Sequence, residues 1–390
     1  MSQKQQRGSI VYINYSPYEN SGKILDYLLE NFDRIFHFSI GFHNLKNKKK
    51  YNRLLIFEKG ALKHEIGLFQ LPIPPSFVFL LLPVRSFINF LQIIGYTIWL
   101  KYKYKKIDIY FTVNAFIAWI GILLRSFKIV DKTVFWVWDY YPPIHESKIV
   151  MLLRSIYWQF DKASSYSDKV AFVNHRLLNL RKDLGIYSRN ATHPIVPIAT
   201  DKLPIVPKNK TQKVTFGFIG VLKKNQGPGI IFDYAQELSK EFGDFQYEIV
   251  GSGPDENYLK ERANKTKVHA KFYGYLEGES FNQVLNKCTI GIAMYIPDPS
   301  NVSYYGDPGK IKRYISLGIP VIGTDVLEFS RQIGKSKAGI IVDYDDKMEF
   351  VAATKKIMAN HSFYSKNAHK LSKTQYYKKV YPAMFDFENK

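Results

Sequence analysis

The chain has 390 residues, 46% of them hydrophobic and 16% aromatic, with a formal net charge of +21. That is too long for one ordinary domain and apolar enough to give two domains a core each, which excludes a disordered or fibrous chain. The single cysteine, Cys288, excludes an internal disulfide, favours a reducing cytosolic setting, and reads as a small core residue.

The N-terminal residues lead directly into an apolar strand with no signal-peptide-like apolar region. Short apolar runs then alternate with helical periods, the pattern of parallel sheets flanked by helices. Strands are predicted at 10–14, 35–38, 54–57, 107–111, 134–137, 170–173 and 192–196. Helices are predicted near 21–31, 84–105, 115–127, 147–162 and 175–184.

The stretch 77–100 resembles a membrane segment, but Pro83, Arg85, Asn89 and Gln92 argue against a spanning helix. Lys101, Lys103, Lys105 and Lys106 follow at once, which suits an amphipathic helix lying on an anionic surface; the alternative is an ordinary core-facing helix. Lys and Arg exceed Asp and Glu by 27 − 13 = 14 in residues 1–200 and by 28 − 21 = 7 in the rest. The first half therefore carries most of a charge that favours phosphates, anionic lipids or nucleic acid.

Residues 201–213 are polar, contain two prolines and read as a linker between a domain at 1–200 and one at 214–361. The second series has strands at 214–219, 247–250, 271–274, 290–294, 320–323 and 339–342. Its helices fall near 228–241, 255–264, 279–286 and 309–317. The basic, aromatic tail 362–390 is expected to form a helix that returns to the first domain.

In doubly wound sheets ligands bind at the carboxyl ends of strands, so four strand-end loops matter most. Gly220, Lys223 and Gly227 lie in a turn between a strand and a helix, where backbone amides can meet a phosphate. Gly251-Ser-Gly253-Pro254 occupies the same place after the next strand and reads equally as a plain strand-to-helix turn. Tyr305-Gly306-Asp307-Pro-Gly309-Lys310 opens a helix ending at Gly318, with Arg313 one turn after Lys310. A cation at a helix start opposes the helix dipole, a local cost that an anionic ligand removes.

The fourth loop, Trp138-Asp139-Tyr140-Tyr141-Pro-Pro-Ile-His145, places a carboxylate at a strand end in the first domain. Asp139 suits orientation of an acceptor hydroxyl, or general-base work, or simple capping of its turn. His145 in the same loop reads as structural or acceptor-facing. No Cys/His metal spacing, G-x-S-x-G elbow or P-loop occurs.

The ordered set of Gly220, Gly251-x-Gly253-Pro, Phe272-Tyr273-Gly274-Tyr, Pro308-x-Lys310-x-x-x-Tyr314 and Gly318-x-Pro-Val-Ile resembles the C-terminal domain of group 1, GT-B-fold glycosyltransferases. The likeness covers residues 214–343 and is closest to a subgroup with Pro-x-Lys in this helix. It implies two Rossmann-like α/β domains facing each other across a cleft, with a nucleotide-sugar donor, UDP-linked, held without metal or other cofactor. By the resemblance, donor-side residues are Gly220, Lys223, Gly251, Gly253, Tyr273, Gly274, Tyr305, Gly306, Asp307, Gly309 and Arg313, with Lys310 and Asp139 catalytic. Ser21 and Gly22 match the flexible loop of the first domain, on the acceptor side with Tyr140 and His145. Where many members carry diphosphate-binding Arg and Lys this chain has Val221 and Gln226, and Tyr305 and Arg313 replace two glutamates.

The function expected is transfer of a sugar, with retention, to a saccharide or polyprenyl-linked acceptor at the inner face of the plasma membrane, by a cytoplasmic protein bound peripherally to anionic lipid. A catalytically degenerate scaffold is the alternative; a nucleic-acid partner has charge alone in its favour.

Overall fold

The computed structural model describes residues 8–15, 21–41, 52–73, 77–200, 213–276, 278–298, 301–307 and 309–387. Residues 201–212 of the predicted linker 201–213, Pro308 and the side chain of Ser21 lie outside the described residues. The chain divides into two compact units, residues 1–197 with 380–390, and 198–379.

In the first unit seven strands form one sheet in the order β4-β3-β2-β1-β5-β6-β7. These are β1 (Ser9–Asn14), β2 (Arg34–Ser39), β3 (Arg53–Glu58), β4 (Ala61–Gly67), β5 (Ile109–Thr112), β6 (Lys132–Val137) and β7 (Lys169–Phe172). Helices α1 (Ile24–Asn31), α2 (Val78–Tyr104), α3 (Ala115–Ser126), α4 (Lys148–Ser164) and α5 (His175–Asp183) connect them. Every residue of β1 is buried, as expected for a central strand covered on both faces.

Two expectations change here. The sheet is mixed, because β3 pairs antiparallel with both β2 and β4. Lys59 and Gly60, both at positive φ, turn β3 directly into β4, a two-residue connection that only an antiparallel hairpin allows. Strand β4 escapes sequence reading because it is a polar edge strand, exposed along nearly its whole length. The predicted strand 192–196 makes only two isolated bridges, to Lys169 and Phe172. Pro194, without an N–H, sits in its middle.

The second unit holds a six-stranded, wholly parallel sheet in the order β10-β9-β8-β11-β12-β13. Its strands are β8 (Thr215–Ile219), β9 (Gln246–Val250), β10 (His269–Phe272), β11 (Ile290–Ala293), β12 (Val321–Gly323) and β13 (Gly339–Ile341). Its helices are α6 (Ile230–Asp233), α7 (Ala235–Phe242), α8 (Glu256–Thr266), α9 (Gly278–Leu285), α10 (Gly309–Ser316), α11 (Ser330–Lys335), α12 (Lys347–Ala359) and α13 (His361–Ser372). The helix expected over 228–241 is broken at Tyr234, whose backbone leaves helical geometry between α6 and α7. Cys288 is buried as expected, and it fits because Gly217 opposite has no side chain: a Cβ there would lie 2.5 Å from Sγ.

Strand order reverses between β8 and β11, so the loops after these strands flank the switch point of the sheet. The tail divides. Ala368 and Leu371 of α13 join the core of the second unit. Beyond α14 (Tyr377–Val380), α15 (Pro382–Phe385) belongs to the first unit, where the Phe385 ring stands 5.2 Å from Phe111 and 5.8 Å from Tyr27.

Candidate functional site

In the second unit the site grows from α10. Tyr314, one turn after Lys310, donates its hydroxyl to the Gly217 carbonyl at 2.9 Å and accepts the Ile219 N–H at 3.0 Å. Gly291 on β11 leaves the room, since a Cβ there would stand 2.5 Å from the Tyr314 ring. The helix is thus bolted to the end of β8, and its first turn overhangs the β8 turn.

That register places the Lys310 ammonium 4.3 Å from the centroids of both Phe218 and Tyr295. The Nζ atom is buried and, among the described residues, has no hydrogen-bond partner. Two rings supply cation–π attraction, but not enough to replace water. Burial therefore pulls the Lys310 pKa down to about 7. The same Nζ would lie 3.9 Å from a Cβ on Gly220, and Gln226 Oε1 3.3 Å from it, so the expected Lys310 and Gly220 lie together, with Gln226 beside them. Phe218 and Tyr295 are the members that sequence reading missed, because a buried aromatic at a strand end looks like core.

Several predicted donor residues have other employment. Gly251 and Gly253 exist for close packing: a Cβ on Gly251 would meet the Gly220 carbonyl at 1.9 Å, and one on Gly253 the Leu222 carbonyl at 2.4 Å. The two turns are also zipped by Gly220 N–H to Val250 C=O and Leu222 N–H to Ser252 C=O, both 3.0 Å. The Gly220 amide is consequently occupied and is not the phosphate donor that the glycine turn suggested. Gly274 accepts the Gly251 N–H at 2.8 Å and so braces the same turn.

Tyr273 lies 3.4 Å from Lys287 Nζ through its hydroxyl and bonds Glu248; burial and that carboxylate raise its pKa. Arg313 donates to Asn282 on α9 and covers the Phe281 ring, so it turns aside from Lys310 instead of supporting it.

Asp307 is likewise committed. It pairs with Lys312 and accepts the Ile198 N–H at 2.5 Å, while Lys312 donates to the Ile198 carbonyl at 2.6 Å. Burial pushes the Asp307 carboxyl up and the Lys312 amine down, and their mutual attraction opposes both shifts. This is a structural clamp on the start of the second unit. Tyr305 stacks edge-on with Tyr304, and Gly306 donates to the Ser303 carbonyl at 2.9 Å. Gly309 faces open space, with no atom within 4 Å of where a Cβ would stand, and Lys223 is exposed.

In the first unit Asp139 follows β6 and accepts the Tyr141 hydroxyl at 3.1 Å. The residue is exposed, while the atoms packed around its carboxylate raise its pKa by desolvation, against the Tyr141 hydrogen bond. Arg154 on α4 holds the loop by donating to the carbonyls of Pro142 at 3.1 Å and Ile144 at 2.8 Å. Tyr140 meets Trp158 at 6.3 Å. His145 accepts the Ser147 N–H through Nδ1 at 3.0 Å, a local bond that shapes the entry to α4. Gly22, at φ 64°, accepts the Tyr381 hydroxyl at 2.6 Å. Among the described residues no group of three His, Cys, Asp or Glu side chains is placed to hold a metal ion.

Residues 213–360 match the family model for glycosyl transferases group 1. Among solved structures, sucrose-phosphate synthase from Thermosynechococcus elongatus is similar at a TM-score of 0.68 and 14% identity, over 97% of each chain. The lipopolysaccharide outer core galactosyltransferase WaaB matches at 0.60 and 15% identity, over 97% of this chain and 99% of that one. Anabaena HepE, solved with UDP, matches at 0.62 and 11% identity, over 94% and 95%. No curated protein matches the sequence. Residues 213–360 therefore carry a group 1 glycosyl transferase domain, and the chain as a whole has the GT-B fold of these solved structures.

Proposed function

We propose that the chain moves a sugar from a UDP-linked donor to a saccharide or polyprenyl-linked acceptor, without a metal ion and with retention of configuration. One observation carries the donor half: a buried lysine ammonium with no hydrogen-bond partner among the described residues, at the start of a helix, against the β8 turn. An anionic diphosphate is the ligand that relieves such a group. HepE, of the same fold, has been solved with UDP and with UDP-glucose. Lys310 offsets the negative charge that gathers on the diphosphate as the sugar leaves, the role a cation plays in other transferases. Asp139 orients the acceptor hydroxyl and, with its raised pKa, is suited to share its proton.

The protein works at the cytoplasmic side of the plasma membrane, where its basic first half meets anionic lipid. Calorimetric titration with UDP tests the donor reading. Binding in the wild type that is lost in Lys310→Met supports it, and equal binding by both sinks it. Transfer that survives EDTA, and an NMR assignment of the product anomer, check the metal and stereochemical parts.

A further inference from the structure

Helix α2 is built inside out. Its inward side carries Arg85, Asn89 and Thr97, all buried, beside Ile93 and Leu100. Its outward side runs Leu80, Val84, Phe87, Leu91, Trp99 and Tyr102, between 39% and 72% exposed. These lie three to four residues apart, apart from one longer step across the exposed Gly95, and so form a single stripe about 33 Å long. A helix on a water-exposed surface has the opposite arrangement.

Of the inward polar groups, Arg85 and Asn89 are engaged, while the Thr97 hydroxyl is buried without a hydrogen-bond partner among the described residues. Arg85 donates to the Gly41 carbonyl, and Asn89 donates to the Tyr15 hydroxyl at 3.2 Å. Gln92 brackets the Phe69 backbone, accepting its N–H at 2.7 Å and donating to its carbonyl at 3.0 Å. The helix, although long and apolar enough to cross a membrane, is therefore fixed along the unit.

Helix α4 continues the face. Phe90 of α2 stacks on Trp119 of α3 at 5.8 Å, and Trp119 meets Phe160 of α4 at 5.1 Å, so the three helices form one layer. On α4, Ile149, Leu152 and Ile156 share one side and are 47% to 61% exposed. Exposed apolar area of this extent marks an interaction surface.

Resting on the membrane reading above and giving it a surface, we propose that the outer face of α2 and α4 docks on an anionic lipid bilayer, lying in the plane of the headgroups. Charge selects this occupant. Residues 66–107 contain no Asp or Glu, while Lys101, Lys103 and Lys105 follow the stripe and Lys148 starts α4. The stripe sinks to the acyl boundary and the lysines meet phosphates. The Asp139 loop borders this face, held to α4 by Arg154, with Ile144 77% exposed.

The test is flotation of the full chain with vesicles of phosphatidylcholine, with and without phosphatidylglycerol. Wild type should float with the anionic vesicles, and the double variant Phe87→Glu/Leu91→Glu should bind at least tenfold less. Lys103→Ala/Lys105→Ala should cost about fivefold for each charge, as should added salt. Each variant is checked by UDP titration without vesicles, which separates failure of this face from failure of the donor site. Leu91→Gln/Leu152→Gln replaces the Glu pair if that pair does not fold. The proposal falls if wild type ignores anionic vesicles or if the variants bind them equally. It falls too if wild type is a dimer that the variants dissociate, since a second copy would then cover the face.

Discussion

Helix α10 in the second unit and helix α2 in the first both break the rule that charged groups face water, and they break it differently. On α10 the Lys310 ammonium is buried between two rings with no hydrogen-bond partner among the described residues. On α2 the Arg85 and Asn89 side chains are paired inside, and the outer side is left apolar. The first arrangement lacks one small anion; the second lacks an extended surface. The form of the anomaly thus indicates the size of the missing partner, which composition alone does not.

The largest expected effect sharpens this within α10 itself. Lys312 lies two residues from Lys310 and is also buried, but it is paired with Asp307. Lys312→Met should cost about 3–5 kcal/mol of stability, because it strands a buried carboxylate. Lys310→Met should instead raise the melting temperature of the ligand-free protein, since it removes a desolvated amine. Chemical and thermal denaturation of the two variants reads the opposite signs, and a shared sign would break the contrast.

Next in size is donor binding. Loss of a hydrogen bond to a buried charge makes Lys310→Met weaken UDP binding by about tenfold to a hundredfold in titration. Smaller, taken per unit of pH, is the pH effect. With a folded pKa of about 7, Lys310 in the free protein is increasingly neutral above that pH. The unfolded chain then holds the extra proton, so wild type gains stability relative to Lys310→Met as pH rises from 7 towards 10.5, by at most about 1.4 kcal/mol per unit. UDP restores the charge, so its affinity should fall with rising pH above about 7, with proton uptake on binding, visible as a buffer-dependent enthalpy. The smallest effect belongs to α2: Leu91→Gln should change stability by less than about 0.5 kcal/mol, since the side chain touches little in the folded state.

Much of this was legible in the sequence. The strand–helix alternation, Lys310, Gly220 and the suspicion about 77–106 come directly from periodicity and residue chemistry. Polar edge strand β4 was not, because its pattern carries no buried side. Nor were the roles of Gly251 and Gly253. Their turn faces another turn about thirty residues earlier in sequence, and only tertiary packing reveals that glycine is needed for contact with a backbone and not with a phosphate. The contacts of Asp307 and Arg313 were hidden for a similar reason: short-range spacing puts both near Lys310, while their partners Ile198 and Asn282 are distant in sequence.

The buried side chains of Tyr381, Met384 and Phe385 complete the core of the first unit, though they follow the entire second unit along the chain. On the ribosome, the first unit therefore waits. Its sheet emerges early, but the rings that close over Tyr27, Phe111 and Trp136 arrive only after the second unit has been made. The newborn chain holds an unfinished first unit through nearly half of its synthesis, a period in which a chaperone or the membrane itself has something to hold.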